Sequence, residues 1–208
     1  MMKLLFLHGL GQTADSWQPV TSDLDGYNCQ ALELFEDGSL PDNLKHLQDK
    51  VMQAVEQSEE DVCLIGLSLG AMLALSMIEA ESSQIKGIVS CAGQYQFVHN
   101  RAYKRQFLLF RLLPKGFFRR YGLDKTSMVT FYKSLSALDL SASLKKTALP
   151  IQLVCGAKDL PNLKVAKELQ DLVPNASLTI IENAGHELNK EQPQTLANLI
   201  RGFVENIS

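Results

Sequence analysis

Six short runs of apolar and β-branched residues punctuate the chain, and they restrict the fold more than any other feature. They occupy residues 3–8, 27–34, 61–65, 86–91, 150–155 and 177–181. Stretches with helical spacing lie between most of them. Leu44, Leu47, Val51 and Val55 recur with that spacing, as do Leu196, Leu199, Ile200, Phe203, Val204 and Ile207. Residues 69–81 read as a mostly apolar, buried helix. Strands that are apolar throughout and alternate with helices need cover on both faces. That pattern predicts an α/β fold with a doubly wound, six-stranded, all-parallel sheet flanked by helices. In such winding the first and third strands are neighbours and the second lies outside the first. The winding reverses between the first and third, and ligands bind at that reversal, beyond the carboxyl ends of the strands.

The 208 residues are enough for one domain with a substantial core, so the chain is read as a single domain over residues 1–208. An apolar fraction of 46% and a charged fraction of 21% are those of a soluble globular protein. The net charge of −3 argues against a general binder of nucleic acid. Residues 1–7 begin like a secretory signal, with one lysine before an apolar run. The run breaks at His8-Gly9 and no small-residue cleavage site follows, so a buried strand is the better reading. No run is long enough to span a bilayer. Cys29, Cys63, Cys91 and Cys155 show neither close pairing nor metal-ligand spacing. Free thiols and a cytoplasmic location are expected.

One interval departs from the alternation. Nearly sixty residues separate Cys91 from Pro150, too many for one crossover helix. Residues 94–147 are therefore expected to form an insertion, a cap or lid above the sheet. This stretch holds ten of the fifteen aromatic residues, and eleven Lys or Arg against only Asp124 and Asp139. The remainder of the chain then carries −12.

The chemistry is read from strand ends. A serine hydroxyl is a poor nucleophile at neutral pH. It needs a base, a group that orients the base, and donors for the oxyanion. Gly66-Leu67-Ser68-Leu69-Gly70 follows the third run and turns directly into the helix after it. This is a nucleophile elbow, with Ser68 the candidate nucleophile. Gly66 and Gly70 avoid collisions across the turn, and the helix N-terminus behind Ser68 adds a partial positive field. His8-Gly9-Leu10-Gly11 follows the first run. The backbone amides of Leu10 and Leu69 are the candidate oxyanion donors. Gly9 and Gly11 let the chain curl close to a ligand. His8 is read as structural, a histidine bonded within its turn. Asp159, in Cys155-Gly156-Ala157-Lys158-Asp159, is the candidate acid. Its bland alternative is a turn or cap residue. His186, in Ala184-Gly185-His186, is the candidate base, since His46 falls on the exposed side of a helix and His99 in the insertion. Glu182 and Glu187 read as surface carboxylates.

These pieces resemble the α/β-hydrolase superfamily. They are His8-Gly9-Leu10-Gly11, the elbow around Ser68, Gly156-x-x-Asp159, and Gly185-His186 followed by Glu191-Gln192-Pro193. They span nearly the whole chain in that superfamily's order. The resemblance implies a Ser68–His186–Asp159 triad, an acyl-enzyme or related intermediate, and a cap at residues 94–147 that shapes the substrate pocket. The sheet is a reduced version of the superfamily's, since the chain starts almost at the strand leading into His8-Gly9. The loop Phe35-Glu36-Asp37-Gly38 departs from the superfamily's common Pro-Gly-His-Gly turn.

The expected function is cleavage of a carboxylic ester or thioester, in the manner of a carboxylesterase, thioesterase or lysophospholipase, with no metal or organic cofactor. The substrate is a small acyl compound. Two alternatives stay open. One is a lyase like those of the menaquinone pathway, using the same triad on an anionic substrate. The other is a non-catalytic member that keeps the site as a ligand pocket. The basic, aromatic stretch 107–121 has three readings: a helical lid with a solvated basic face, an acyl pocket with cations at its mouth, or transient contact with a membrane surface.

Overall fold

A computed structural model describes residues 2–35, 39–98, 101–120 and 123–207. His99, Tyr121 and residues 36–38 lie outside the described residues. The six runs are six strands: β1 (Met2–Leu7), β2 (Asn28–Leu32), β3 (Asp61–Leu67), β4 (Ile85–Cys91), β5 (Ile151–Gly156) and β6 (Ala176–Ile181). They form one sheet in the order β2-β1-β3-β4-β5-β6, every pair parallel. The winding reverses between β1 and β3, as the sequence implied. Strand β3 runs two residues beyond its apolar run, because Gly66 pairs with both Leu7 and Ser90, and Leu67 pairs with Cys91.

Alternate side chains of each central strand serve two cores. Leu5, Leu7, Val62, Leu64, Ile88 and Leu153 point to one side. Leu4, Phe6, Cys63, Ile65, Val89 and Val154 point to the other. The first core is covered by α1 (Leu44–Glu56), through Leu44, Leu47, Val51 and Val55, and by α2 (Leu69–Ser76). Asn43 starts α1, its side chain accepting from the His46 amide. His46 itself is exposed. The apolar run 69–81 is α-helical only to Ser76. A 3-10 turn over Met77–Ala80 then ends on Glu81 at φ 48°.

Between β4 and β5 the chain forms α3 (Arg101–Leu112), α4 (Lys115–Arg119) and α5 (Lys125–Ser134). An antiparallel bridge from Gln96 to Asp139 closes the base of this insertion. Many of its aromatic side chains are packing groups. Phe118 and Phe131 are buried in the first core, and Phe110 stacks edge-on against Phe118 and Tyr132. The outward side differs. Leu108, Leu109, Leu112 and Phe117 are exposed, beside exposed Arg105, Arg111, Lys115, Arg119 and Arg120. Among the described residues no helix is long and apolar enough to cross a membrane.

Helices of the chain's last third complete the first core and close the second. These are α6 (Leu160–Leu172), α7 (Leu188–Glu191) and α8 (Pro193–Ile207). Of these, α7 and α8 supply Leu188, Leu196, Ile200 and Val204, which meet Trp17 and Phe6 there, whereas α6 packs on the first core through Leu169. Each fully buried aliphatic side chain contributes roughly 1.5–3 kcal/mol. All four cysteines are free thiols, and burial pushes those of Cys63, Cys91 and Cys155 upward in pKa.

Candidate active site

All candidate residues lie at the carboxyl edge of the parallel sheet. His8 follows β1, Ser68 follows β3, Asp159 follows β5 and His186 follows β6. Ser68 has φ 55° and ψ −110°, a conformation that costs a residue with a Cβ about 1–3 kcal/mol. The surroundings hold it there. Its N–H donates to Cys91 O at 2.8 Å, and its own carbonyl accepts the Met72 amide at 3.0 Å. The flanking glycines are sterically required. A Cβ on Gly66 would lie 2.5 Å from the Ala71 nitrogen, and one on Gly70 would lie 2.8 Å from the His8 oxygen and nearer still to that of Leu7. The close passage of α2 over β1 thus demands glycine at position 70, and the tight turn from β3 into α2 demands it at 66.

The loop after β1 crosses beside the serine. A Cβ built on Gly9 would sit 3.6 Å from Ser68 Cβ, an ordinary contact, so space does not demand glycine at this position. Gly11 does need to be glycine, at φ 75°. The amides of Leu10 and Leu69 have no acceptor among the described residues. Leu69 follows Ser68 and opens α2, where the first amides lack an intrahelical partner, and Leu10 follows the Gly9 that approaches Ser68. His8 is fully buried. Its Nδ1 lies 2.9 Å from Gly9 O, and its Nε2 accepts the Leu34 amide at 3.0 Å, with Glu33 Oε1 also 3.0 Å away. It is tied into the loop structure beside the site.

Asp159 is at the N-cap position of α6, yet its side chain makes no capping bond. An aspartate there ordinarily accepts a backbone amide of the first turn. This one turns away to His186, with Nδ1 to Oδ2 at 2.6 Å. The acid is nearly buried, its side chain 9% exposed, while the imidazole is 44% exposed. A buried acceptor this short fixes the proton on Nδ1 and leaves the Nε2 lone pair free. No hydrogen bond links Ser68 Oγ to His186 among the described residues, so the acid and base are joined and the serine stands apart from them. Such contacts are commonly long in unliganded sites and close around substrate.

The acid and base loops are stitched to each other. Lys158 N–H donates to Ala184 O at 2.9 Å, and Lys158 Nζ to Asn183 O at 2.9 Å. A Cβ on Gly156 would lie 2.5 Å from Ala184 O, so the two loops meet with no room for a side chain. The Glu191 carboxylate accepts the amides of Gly185 at 2.7 Å and Glu187 at 3.0 Å, bracketing His186.

Sequence reasoning missed a buried polar tie between this loop and the one after β1. Gln12 Nε2 donates to Glu187 Oε1 at 2.8 Å and Asn189 Oδ1 at 3.3 Å. Asn189, fully buried, donates from Nδ2 to Gln12 Oε1 at 3.2 Å and Ser16 O at 3.0 Å. Glu187 is therefore more than a surface carboxylate. Its bonds to Lys190 and Gln12 hold its carboxyl below the usual range. Asn189 sits beside an apolar leucine with no motif around it, so burial alone reveals it. Replacing Asn189 by alanine is expected to strand the Ser16 carbonyl and to take one partner from each end of the Gln12 amide, whose Nε2 still donates to Glu187. That costs about 2 kcal/mol, or roughly 4–8 °C in Tm for a chain of this size, readable by calorimetry.

Residues 4–199 match the alpha/beta hydrolase family. The chain belongs to that family. This α/β-hydrolase is 31% identical over 253 aligned residues to a putative 2-succinyl-6-hydroxy-2,4-cyclohexadiene-1-carboxylate synthase of Haemophilus influenzae, covering 100% of this chain and 99% of that one. It is 26% identical to the biotin biosynthesis bifunctional protein BioHC of Cellvibrio japonicus, spanning 99% of this chain but 48% of that relative, about half its length. It is 20% identical to a pimeloyl-[acyl-carrier protein] methyl ester esterase of Aliivibrio fischeri, covering 88% of this chain and 86% of the relative. Among solved structures, MenH from S. aureus superposes with a TM-score of 0.82 at 17% identity, covering 99% of this α/β-hydrolase and 94% of that chain.

Proposed function

We propose that this α/β-hydrolase is a serine hydrolase that cleaves a carboxylic ester or thioester with Ser68, His186 and Asp159. The observation that carries the reading is the 2.6 Å His186–Asp159 pair, on the same sheet edge that forces Ser68 into its elbow. In the proposed cycle Ser68 Oγ attacks the acyl carbon while its proton passes to His186 Nε2. Asp159 holds Nδ1–H and stabilises the imidazolium. The carbonyl oxygen, now negative, accepts from the amides of Leu10 and Leu69. The imidazolium protonates the leaving alcohol or thiol, leaving an acyl-Ser68 ester. Water then gives its proton to His186 and attacks the acyl carbon. Collapse returns the proton to Ser68 and frees the carboxylic acid. No step calls on a metal or cofactor.

The cap suggests the substrate class. No Asp or Glu occurs from residue 82 to 123, and five exposed cations lie among α3, α4 and their ends. We place an anionic group of the acyl substrate against this charge. A carboxylate-bearing ester is expected to exceed the neutral ester of equal chain length in kcat/KM by about 10-fold at low salt, the advantage shrinking as salt screens it. Equal rates for the two esters would contradict this placement.

A second reading keeps the three residues but makes the reaction an elimination on an anionic substrate. The resemblance to the Haemophilus protein and the excess of basic residues over residues 94–147 favour it. Mass spectrometry separates the two readings. An acyl group trapped on Ser68 from a short ester supports hydrolysis. Inertness toward every ester and thioester, with Ser68 still reactive to a phosphonate, supports elimination.

A further inference from the structure

We infer that Asn162 is a positioning residue for the Asp159–His186 pair and that Gln94, at the root of the cap, sets its orientation. The inference rests on the proposed function for its kinetic consequences, but its geometry stands separately.

Asn162 lies one turn into α6, three residues after Asp159. Its Nδ2 donates to both oxygens of Asp159, at 2.9 Å to Oδ1 and 2.8 Å to Oδ2. The side-chain amide thus takes the place of the backbone amide that an N-cap aspartate ordinarily receives. This leaves the carboxylate pointing at His186 instead of along the helix. The same Nδ2 is 3.3 Å from His186 Nδ1. Because Nδ1 carries the proton shared with Asp159, the amide nitrogen offers it no acceptor. Asp159 is then the sole acceptor for Nδ1–H within this group.

Everything depends on which end of the amide faces the pair. Turned over, Asn162 Oδ1 would lie against a carboxylate and offer Nδ1–H a competing acceptor. Gln94 prevents this by donating its Nε2 proton to Asn162 Oδ1 at 2.7 Å. Gln94 follows β4 and opens the segment leading to the cap, so a chain of hydrogen bonds runs from cap root to base. The other charged groups around the pair have defined partners. Lys158 donates to Asn183 O, Glu187 is bonded to Gln12 and Lys190, and Glu191 holds the Gly185 and Glu187 amides. Cys155, beneath Asp159, is a neutral thiol, its pKa pushed up to about 12 by burial and by the Asp159 charge.

Three substitutions test this: Asn162→Ala, Asn162→Asp and Gln94→Glu, read by steady-state kinetics and by the imidazole NMR signals of His186. Asn162→Ala is expected to lower kcat about 10-fold with KM nearly unchanged, since the lost interaction orients the base rather than holding substrate. Asn162→Asp is isosteric but sets a second carboxylate against the imidazolium, favouring the protonated form. The acid limb of its kcat/KM profile is expected to move to higher pH. Gln94→Glu leaves Asp159, Asn162 and His186 intact. Its carboxylate attracts the Asn162 nitrogen and turns the amide over, and a loss comparable to Asn162→Ala is expected. In all three the downfield Nδ1–H resonance of the wild type should shift or broaden.

Variants that keep kcat within 2-fold, the acid limb in place and the Nδ1–H resonance unmoved would overturn the inference, even if Asn162→Ala melts at lower temperature. If the resonance responds but the wild-type protein hydrolyses no ester, the positioning role stands and the hydrolase reading fails. Should Asn162→Ala not fold, Gln94→Glu decides alone.

Discussion

Replacing Ser68 by alanine is expected to lower kcat on a short acyl ester by roughly 10⁴–10⁶-fold, about 5–8 kcal/mol of lost transition-state stabilisation. The residual rate would reflect the Leu10 and Leu69 amides and substrate binding, which the change leaves in place. Steady-state rates over a wide enzyme range, with the variant purified apart from wild type, check the figure. The same position makes a second claim with the opposite sign. Alanine keeps the Cβ and therefore keeps the strain at φ 55° and ψ −110°. Glycine adopts that conformation without it, so Ser68→Gly is expected to be inactive yet more stable by about 1 kcal/mol, or roughly 2–4 °C in Tm. Full activity in Ser68→Ala would remove the serine from the chemistry. A Ser68→Gly variant that melts below wild type would show that the elbow stores no strain.

The largest expected effect on folding is at Gly70. A methyl group here would press into the backbone carbonyls of Leu7 and His8, which belong to β1 and its exit. Neither oxygen can swing aside as the end of a flexible side chain could. To admit the methyl, α2 must lift off the sheet, and Met72, Leu73 and Leu75 lose contact with the first core. Gly70→Ala is therefore expected to cost at least about 4 kcal/mol, a large share of the 5–15 kcal/mol that holds a typical domain together. A drop in Tm on the order of 10 °C, or loss of soluble protein, is the predicted outcome. Gly9→Ala serves as the control. Its Cβ would meet nothing closer than 3.5 Å, so its melting should change little.

The sheet was legible in the sequence because parallel strands covered on both faces have nowhere to put polar residues. The runs 61–65 and 150–155 read as strands for that reason, and the winding followed from the alternation with helices. The elbow was legible because the close approach of α2 to β1 admits only glycine at position 70, leaving a mark in the sequence. His186 and Asp159 were picked out as candidates by position, each a few residues past a strand end, and their side chains meet. Asn162, Gln94, Gln12 and Asn189 were not legible. They act through side-chain amides brought together across 68 residues in one case and 177 in the other, and no local pattern announces such a pair. The same limit applied to Asp159. A sequence cannot distinguish a capping aspartate from one whose cap is supplied by a neighbouring asparagine, and here the choice of partner sets the geometry of the acid and base.

The stretch 94–147 was legible as a break in the strand–helix alternation and as a concentration of charge, but not as a division of labour. Phe110, Phe118 and Phe131 pack inward, while Leu108, Leu109 and Leu112 face out beside arginines. The count of aromatic residues in the sequence merges these two populations.

The central claim is that Ser68 is a nucleophile activated by His186 and Asp159. Treating the protein with a fluorophosphonate and mapping the adduct by peptide mass spectrometry tests it most directly. The account predicts a single stoichiometric adduct on Ser68, absent from Ser68→Ala and formed much more slowly in His186→Ala. No adduct on wild-type protein, or equal labelling of wild type and Ser68→Ala, would contradict it.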